Sequence, residues 1–310
     1  MFEFTVTFLG TASAMPVKDR NQSAQALNVH GRFFLVDCGD GTQRRLVQCG
    51  VPRQKINAIF ISHVHGDHVY GLNALLSTFG MDGRTAPLYI YGPPNLGPMI
   101  NFFLSYSGDA IAYEIKFVPL KMKSPELVME TKSAEVLAFP LDHGIDTFGF
   151  IFREKRPQWN VRKDAIGRFN LSLTEIGTLK RGEDVVREDG VFRHEDLAYI
   201  PYSPRSYAYV SDTAVFPGEE LWLKDVRWIY HEATYLAEHA DKAVLRKHST
   251  TLQAASLARE AGAERLYIGH YSSRNLDPSA YEAECRTIFA ETYAVRDGDI
   301  AEFPLDSNEA

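Results

Sequence analysis

Asn57-Ala58-Ile59-Phe60-Ile61-Ser62-His63-Val64-His65-Gly66-Asp67-His68 is an apolar run that stops in three imidazoles and a carboxylate within six residues. The apolar part is strand length and rich in β-formers. The polar part is a ligand set: imidazole nitrogen and carboxylate oxygen both suit zinc, with bonds of about 2.0–2.2 Å. In an extended segment residues two apart point to one side, so His63 and His65 can grip one ion. Gly66 is expected to permit a tight turn that brings Asp67 and His68 round towards a second.

The same arrangement recurs down the chain. Val136 to Leu141 runs into Asp142-His143-Gly144, Tyr207 to Ser211 into Asp212, Arg227 to Tyr230 into His231-Glu232, and Arg265 to Gly269 into His270. Loops at strand ends are where a rigid scaffold presents functional groups. Taken singly, His143 and His270 would be ordinary hydrogen-bonding residues and Asp212 a turn residue or cap. With the histidine cluster they make seven ligands, enough for two ions with Asp212 bridging. Two ions about 3.5–4 Å apart can activate water and stabilise an in-line displacement at phosphorus. Helical patterns lie between some of the strands. Leu252, Ala255 and Ala258 share a face of a helix predicted over Thr250 to Ala261, with Ser249 as N-cap and Gly262 as the stop. Strands mixed with helices give an α/β reading.

The 310 residues suit one catalytic domain with one insertion. Hydrophobic residues at 45% and charged residues at 24% are ordinary for a globular chain. No apolar run approaches the roughly 20 residues of a membrane helix. The alternating start Met1-Phe2-Glu3-Phe4-Thr5-Val6-Thr7-Phe8 lacks the basic and apolar regions of a signal peptide. Three cysteines, Cys38, Cys49 and Cys285, make neither a disulfide framework nor a cysteine zinc site. A reduced, cytoplasmic protein without membrane attachment is expected. The net charge of −7 works against nucleic acid, whose binding is dominated by Lys and Arg contacts to phosphate. Any RNA contact must therefore be local.

His-x-His-x-Asp-His, followed by a separate His, Asp and His that each close a strand, resembles the metallo-β-lactamase fold. The resemblance runs from Phe4 to about Phe303. It implies a four-layer αβ/βα sandwich as a single domain over residues 1–310, with the metals at one edge between two sheets. By it, His63, His65 and His143 hold one zinc, Asp67, His68 and His270 the other, and Asp212 lies between them. Further segments resemble the RNase Z family. Phe8-Leu9-Gly10-Thr11 opens the chain as in that family. Pro16-Val17-Lys18-Asp19-Arg20-Asn21 matches its Pro-x-Lys-x-Arg-Asn loop, associated with sensing the tRNA 3′ end. Asp37-Cys38-Gly39-Asp40-Gly41-Thr42 is close to its Asp-Cys-Gly-Glu-Gly-Thr segment, and Gly83 to Leu88 and Ile90 to Pro93 are also similar. His231-Glu232-Ala233-Thr234 and His248-Ser249-Thr250 match paired motifs of tRNA-processing members. The implied activity is a two-zinc endoribonuclease, acting as a homodimer without a nucleotide cofactor. It removes the 3′ trailer of precursor tRNA after the discriminator base by hydroxide attack, leaving a 3′-hydroxyl. The chemistry is coherent. A leaving ribose oxygen benefits from a proton donor, Glu232 can charge-stabilise His248 for that task, and Asp67 can take the proton of the attacking water.

An inserted arm is expected over residues 151–200. Within 151–170, Arg153, Lys155, Arg156, Arg162, Lys163 and Arg168 outnumber Glu154 and Asp164 by four, with Trp159 and Phe169 interleaved. Basic residues with aromatics suit RNA backbone and base stacking. The Gly-Pro tip of the family's arm is missing between His143 and Asp212. RNA contacts are expected from Lys18, Arg20 and Asn21 at the 3′ end, and from Arg153, Lys155, Arg156, Arg162 and Lys163 on the tRNA body. Two other readings compete. A small-molecule phosphodiesterase or other hydrolase on the same di-zinc core accords with the acidic balance and the missing tip. A silent RNA-binding paralogue is opposed by the complete ligand set. His30, His194 and His239 have no motif context and read as structural or surface residues.

Overall fold

Strands that are apolar on both faces must be covered on both faces, and this dictates the layering of the main unit. A computed structural model describes residues 3–107 and 111–306. Two compact units result, one built from residues 1–153 and 206–303, the other from 154–205 and 304–310.

The main unit holds two seven-stranded mixed sheets. The first runs in the spatial order Ile300–Glu302, Phe4–Gly10, Ala24–Val29, Arg32–Val36, Ile56–Phe60, Leu88–Gly92, Ile115–Pro119. Its last four strands are parallel. The second runs Thr292–Ala294, Arg265–Gly269, Trp228–Glu232, Ser206–Val210, Asp146–Glu154, Ala134–Asp142, Glu126–Glu130. There the first four are parallel.

Alternation along each strand sends side chains to two different interiors. From the first sheet Phe8, Phe34 and Phe60 meet Phe150, Phe152, Tyr209 and Tyr230 of the second, so the sheets pack face to face. The Phe60 ring lies 4.8 Å from Tyr91, 5.2 Å from Phe150 and 5.3 Å from Phe152. Truncating such a ring to Ala costs about 3–5 kcal/mol. Ile59 and Ile61 point the other way, under Leu72, Leu75, Leu76 and Phe79 of the helix Leu72–Met81. On the far side Ala208, Val210 and Ile229 pack under Ala255, Leu257 and Ala258. The result is the expected αβ/βα sandwich of four layers. Among the described residues, no helix is long and apolar enough to cross a membrane.

One sequence expectation needs correction. The helix Thr251–Ala261 is capped by Thr250, not Ser249: Thr250 and Gln253 form a reciprocal capping box. Ser249 is engaged elsewhere, its N–H donating to Glu232 at 2.7 Å. Gly262 ends the helix as expected, at φ 74°. Gly66 stands where the chain turns to bring Asp67 and His68 into the second donor group. It begins the helix Gly66–Val69, and its lack of a side chain makes room for the Tyr70 ring.

The second unit has its own small core of Ala165, Leu171, Leu179, Val185 and Leu197. Helices Lys163–Arg168 and Leu173–Lys180 and the hairpin Val185–Arg187 with Gly190–Phe192 surround it. Its first and last inserted residues, Glu154 and Arg205, face each other as a buried pair. Arg205 donates to Glu154 through its backbone N–H at 2.8 Å and through Nε and Nη2 at 3.0 and 2.5 Å. The unit begins at 154 rather than 151, so Arg153 lies outside it, 3.9 Å from Glu135.

Candidate metal centre

The carboxyl ends of the parallel strands point to one edge of the sandwich, the usual place for a site in a parallel sheet. Asp37 follows Val36, His63 follows the strand Ile56–Phe60, Asp212 follows Ser206–Val210, Glu232 closes Trp228–Glu232, and His270 follows Arg265–Gly269. Alternation decides which member of His231-Glu232 takes part. Trp228 and Tyr230 face the other sheet, so Glu232 is carried to the same side while His231 turns away.

Seven side chains from these ends form two groups able to hold a metal ion: His63, His65, His143 and Asp212, and Asp67, His68, His270 and Asp212. In the first, His65 Nδ1 stands 3.0 Å from His63 Nε2 and 3.2 Å from His143 Nε2. Asp212 Oδ2 lies 3.7 and 3.5 Å from the same His63 and His143 nitrogens. In the second, His270 Nε2 is 3.3 Å from His68 Nε2, from Asp67 Oδ2 and from Asp212 Oδ1. One carboxylate thus gives one oxygen to each group. Donors arranged tetrahedrally at bond lengths of about 2.0–2.2 Å stand roughly 3.3–3.6 Å apart, so these spacings fit an ion in each.

The protons fit as well. A histidine that binds a metal through one nitrogen normally donates the other N–H to a fixed acceptor. His68 Nδ1 donates to Asp37 at 2.7 Å, His143 Nδ1 to the Lys247 carbonyl at 2.8 Å, and His63 Nδ1 to Ser62 Oγ at 2.9 Å. Thr234 Oγ1 gives its only proton to Glu232 at 2.7 Å, so it must accept from His270 Nδ1 at 2.8 Å. Each of these four can therefore turn a lone pair inward. Asp212 Oδ1, buried among them, has no aligned donor. Burial, then the charges of neighbouring imidazoles, lowers the pKa values of His63 and His65. Burial alone would raise those of Asp67 and Asp212, but the charge on facing histidines outweighs it and lowers both, and the carboxylates in turn raise His68, whose inward proton a bound ion would displace. Neutral nitrogens and ionised carboxylates are the forms that bind a divalent ion.

Beside this centre, His248 Nδ1 donates to Glu232 Oε1 at 3.0 Å. Burial works against a charge on His248, but the Glu232 and Asp212 carboxylates prevail and raise its pKa to about 9. Its neighbour Lys247 has a left-handed backbone, φ 53°, and pairs with Asp142 at 2.6 Å, which fastens this loop to the one bearing His143. The centre and His248 open into one cavity of about 820 Å³.

Sequence reasoning missed several participants. Asp37 is buried and accepts from His68, from the Ser62 N–H at 2.7 Å and from Tyr209 at 2.6 Å. Thr234 orients His270. Gly39 lets the Asp37 loop press beneath the ligands, since a Cβ there would meet the Asp67 carbonyl at 2.3 Å. Arg246 and Arg274 are exposed cations in the cavity wall. Asp37, Gly39 and Thr234 lie inside segments that resemble family motifs, and that is the only signal that could have pointed to them.

The expected RNA-binding residues are placed unevenly. Lys18 and Asp19 form the exposed tip of a turn closed by a bridge between Val17 and Arg20. Arg20 is braced, with Nη2 3.1 Å from the Asn275 carbonyl and its guanidinium 5.2 Å from the centre of the Tyr271 ring. Asn21 is held by Asp297, through its N–H at 2.6 Å and Nδ2 at 2.8 Å. In the second unit Arg156 and Lys163 are exposed, Lys155 is half-buried, and Arg162 stacks on Tyr199 at 5.4 Å.

Similarity to known proteins bears on the same centre. Residues 4–105 match a family model described as Anti-Pycsar protein Apyc1. The chain is 39% identical over 298 residues to a protein named Ribonuclease Z from Cytophaga hutchinsonii, covering 96% of this chain and 95% of that one. It is 35% identical over 298 residues to one of the same name from Bacteroides fragilis, covering 96% and 98%. Among solved structures, the crystal structure of human tRNase Z, short form, is similar at a TM-score of 0.70 and 25% identity, over 97% of this chain and 99% of that one.

Proposed function

The chain belongs to the ribonuclease Z family and is a tRNA 3′-processing endoribonuclease; from that premise we propose how its own residues make the cut. His63, His65, His143 and Asp212 would hold one zinc ion, and Asp67, His68, His270 and Asp212 a second. When bound there they polarise the scissile phosphate and supply a nucleophilic water at neutral pH. Asp67 takes the proton of that water. His248 gives its Nδ1 proton to Glu232, so its Nε2–H is the one left for the leaving 3′-oxygen of the discriminator ribose. The product keeps a 3′-hydroxyl. The observation that carries this assignment is the juxtaposition in one cavity of two donor groups sharing Asp212 with a histidine whose pKa is raised to about 9.

Lys18 reaches for the RNA 3′ end from a turn that Arg20 and Asn21 hold in shape. Arg246 and Arg274 contact the phosphates flanking the cut. The body of the tRNA rests on the unit 154–205 through Arg156 and Lys163, with Lys155 and Arg162 beside them. The protein acts in the cytoplasm as a homodimer, in which the arm of one subunit serves the centre of the other. Mapping the ends of products from a 3′-extended precursor tRNA tests the reading. A single cut after the discriminator base, with a 3′-hydroxyl upstream, is expected. Hydrolysis of small diesters with no cut in the precursor would replace it with the small-molecule phosphodiesterase.

A further inference from the structure

Tyr70 follows the short helix Gly66–Val69 and is 66% exposed. Helical side chains lean towards the N-terminus of their helix, and this ring lies back over Gly66, four residues earlier. A Cβ added at Gly66 would stand 2.3 Å from Cε2, 2.6 Å from Cζ and 2.7 Å from Cδ2 of the ring. Such similar distances to three adjacent carbons put the glycine under the face of the ring. An approach in the ring plane would leave the two flanking carbons clearly farther than the nearest. The inner face is thus seated on backbone that only glycine makes accessible, while the outer face is open to solvent.

Gly66 itself lines the 820 Å³ cavity, between the ligands His65 and Asp67. The ring therefore packs on a residue of the cavity wall that sits between two ligands. No part of the chemistry uses it, and packing explains only its inner face. We propose that Tyr70 is a stacking platform for an unpaired nucleobase adjoining the scissile phosphate. The proposal rests on the reading of the chain as an RNA-cutting enzyme. An open aromatic face suits an unpaired strand because every base has a π-face, so stacking adds affinity without demanding a sequence. A trailer that extends beyond the acceptor stem offers such bases, and trailers differ in sequence. Seating the ring on glycine keeps it from collapsing into the cavity and fixes its plane before RNA arrives, which lowers the ordering cost of binding.

The test is a four-cornered comparison on the full chain. Parent and Tyr70→Ala each cut a 3′-extended precursor tRNA and matched precursors with an abasic nucleotide at the discriminator or at the first trailer position. Tyr70→Ala is expected to lower kcat/KM about 10- to 100-fold on the normal precursor, with bound metal per chain and melting temperature unchanged. Tyr70→Phe and Tyr70→Trp are expected to retain the parent rate. At one of the two abasic positions the parent should fall to the level of Tyr70→Ala, and the substitution should then cost nothing more. The proposal is overturned if Tyr70→Ala cuts normally, if Phe fails as Ala does, or if the two losses multiply at both positions. A parent that leaves every precursor uncut would overturn the functional reading itself, a result distinguishable from all of these.

Discussion

Glu232 accepts five hydrogen bonds, from the N–H groups of Thr213, Thr234 and Ser249, from the Thr234 hydroxyl and from His248. The histidine it holds has a single task, so the two should separate on substitution. His248→Ala is expected to keep its metal and lose about 10²- to 10⁴-fold in kcat. Glu232→Ala should lose a similar rate and also about 3–5 kcal/mol of stability, because it strands a buried charge partner and several donors. Parallel rate assays and calorimetry check this, and equal melting temperatures for the two variants would refute it. Glu219 sets a pH dependence. Burial raises its pKa to about 8 from the 4.5 of an exposed glutamate, and its Oε1 has no partner. Between those values the native chain holds a proton that the unfolded chain releases, so stability falls as pH rises from about 4.5 to about 8. Glu219→Gln should therefore melt above the parent at pH 8.5, with the gap closing towards pH 5. A gap independent of pH would sink the assignment. The ligands themselves were legible because chance seldom puts three histidines and an aspartate at a strand end. Asp37 and Thr234 were not, since an acceptor for the outer nitrogen of a histidine can come from any loop within reach. The Asp37–His68 bond spans 31 residues.

At the scale of elements, apolar runs marked the strands well because burial on both faces leaves no polar positions to confuse the period. Ends were less legible. Ser249 and Thr250 are both good caps, and only the Gln253 side chain decides between them, with Ser249 drawn off by Glu232. A glycine after two ligands suggests a turn, and Gly66 opens a one-turn helix there; the ring four residues later is a second demand on it that the sequence did not show. The bounds of the insertion were blurred because its closing pair, Glu154 and Arg205, is 51 residues apart in sequence. That pair is buried, and removing one partner of a buried pair costs about 3–5 kcal/mol. Arg205→Ala is expected to raise hydrogen exchange across residues 154–205, and Glu154→Leu with Arg205→Met should restore most of the protection. Unchanged exchange in the single variant would mean the unit holds together without its clasp.

For the whole molecule, the shared carboxylate predicts how metal is lost. Metal analysis after dialysis against a weak chelator should find close to two ions per chain in the parent. Asp212→Ala should approach none, and His143→Ala should retain more than Asp212→Ala. Retention of two ions by Asp212→Ala would exclude the bridge. Chelation should also lower the melting temperature, since ions that bind only the native state stabilise it. Charge limits where an acidic chain would meet RNA. Residues 154–205 carry ten Lys and Arg against nine Asp and Glu, while the chain as a whole is at −7. Several of the ten are spent internally, on Glu154, Glu175 and Glu183. Reversing Arg156 and Lys163 to Glu together should raise KM for precursor tRNA and flatten its logarithmic salt dependence by about one to two units, with kcat little altered. An unchanged salt slope would move the grip to another surface.

The donor groups draw on positions as far apart as His63 and His270, and the second group is incomplete without the latter. Order of synthesis turns this into a form of timing. A growing chain that has reached the helix Thr251–Ala261 already carries His248, all of the first donor group and three of the four residues of the second, yet the strand Arg265–Gly269, which presents His270, is still to be made. The capacity to cut is therefore among the last properties the polypeptide acquires. A half-made copy on the ribosome, surrounded by the transfer RNAs that are building it, lacks the residue that completes its blade.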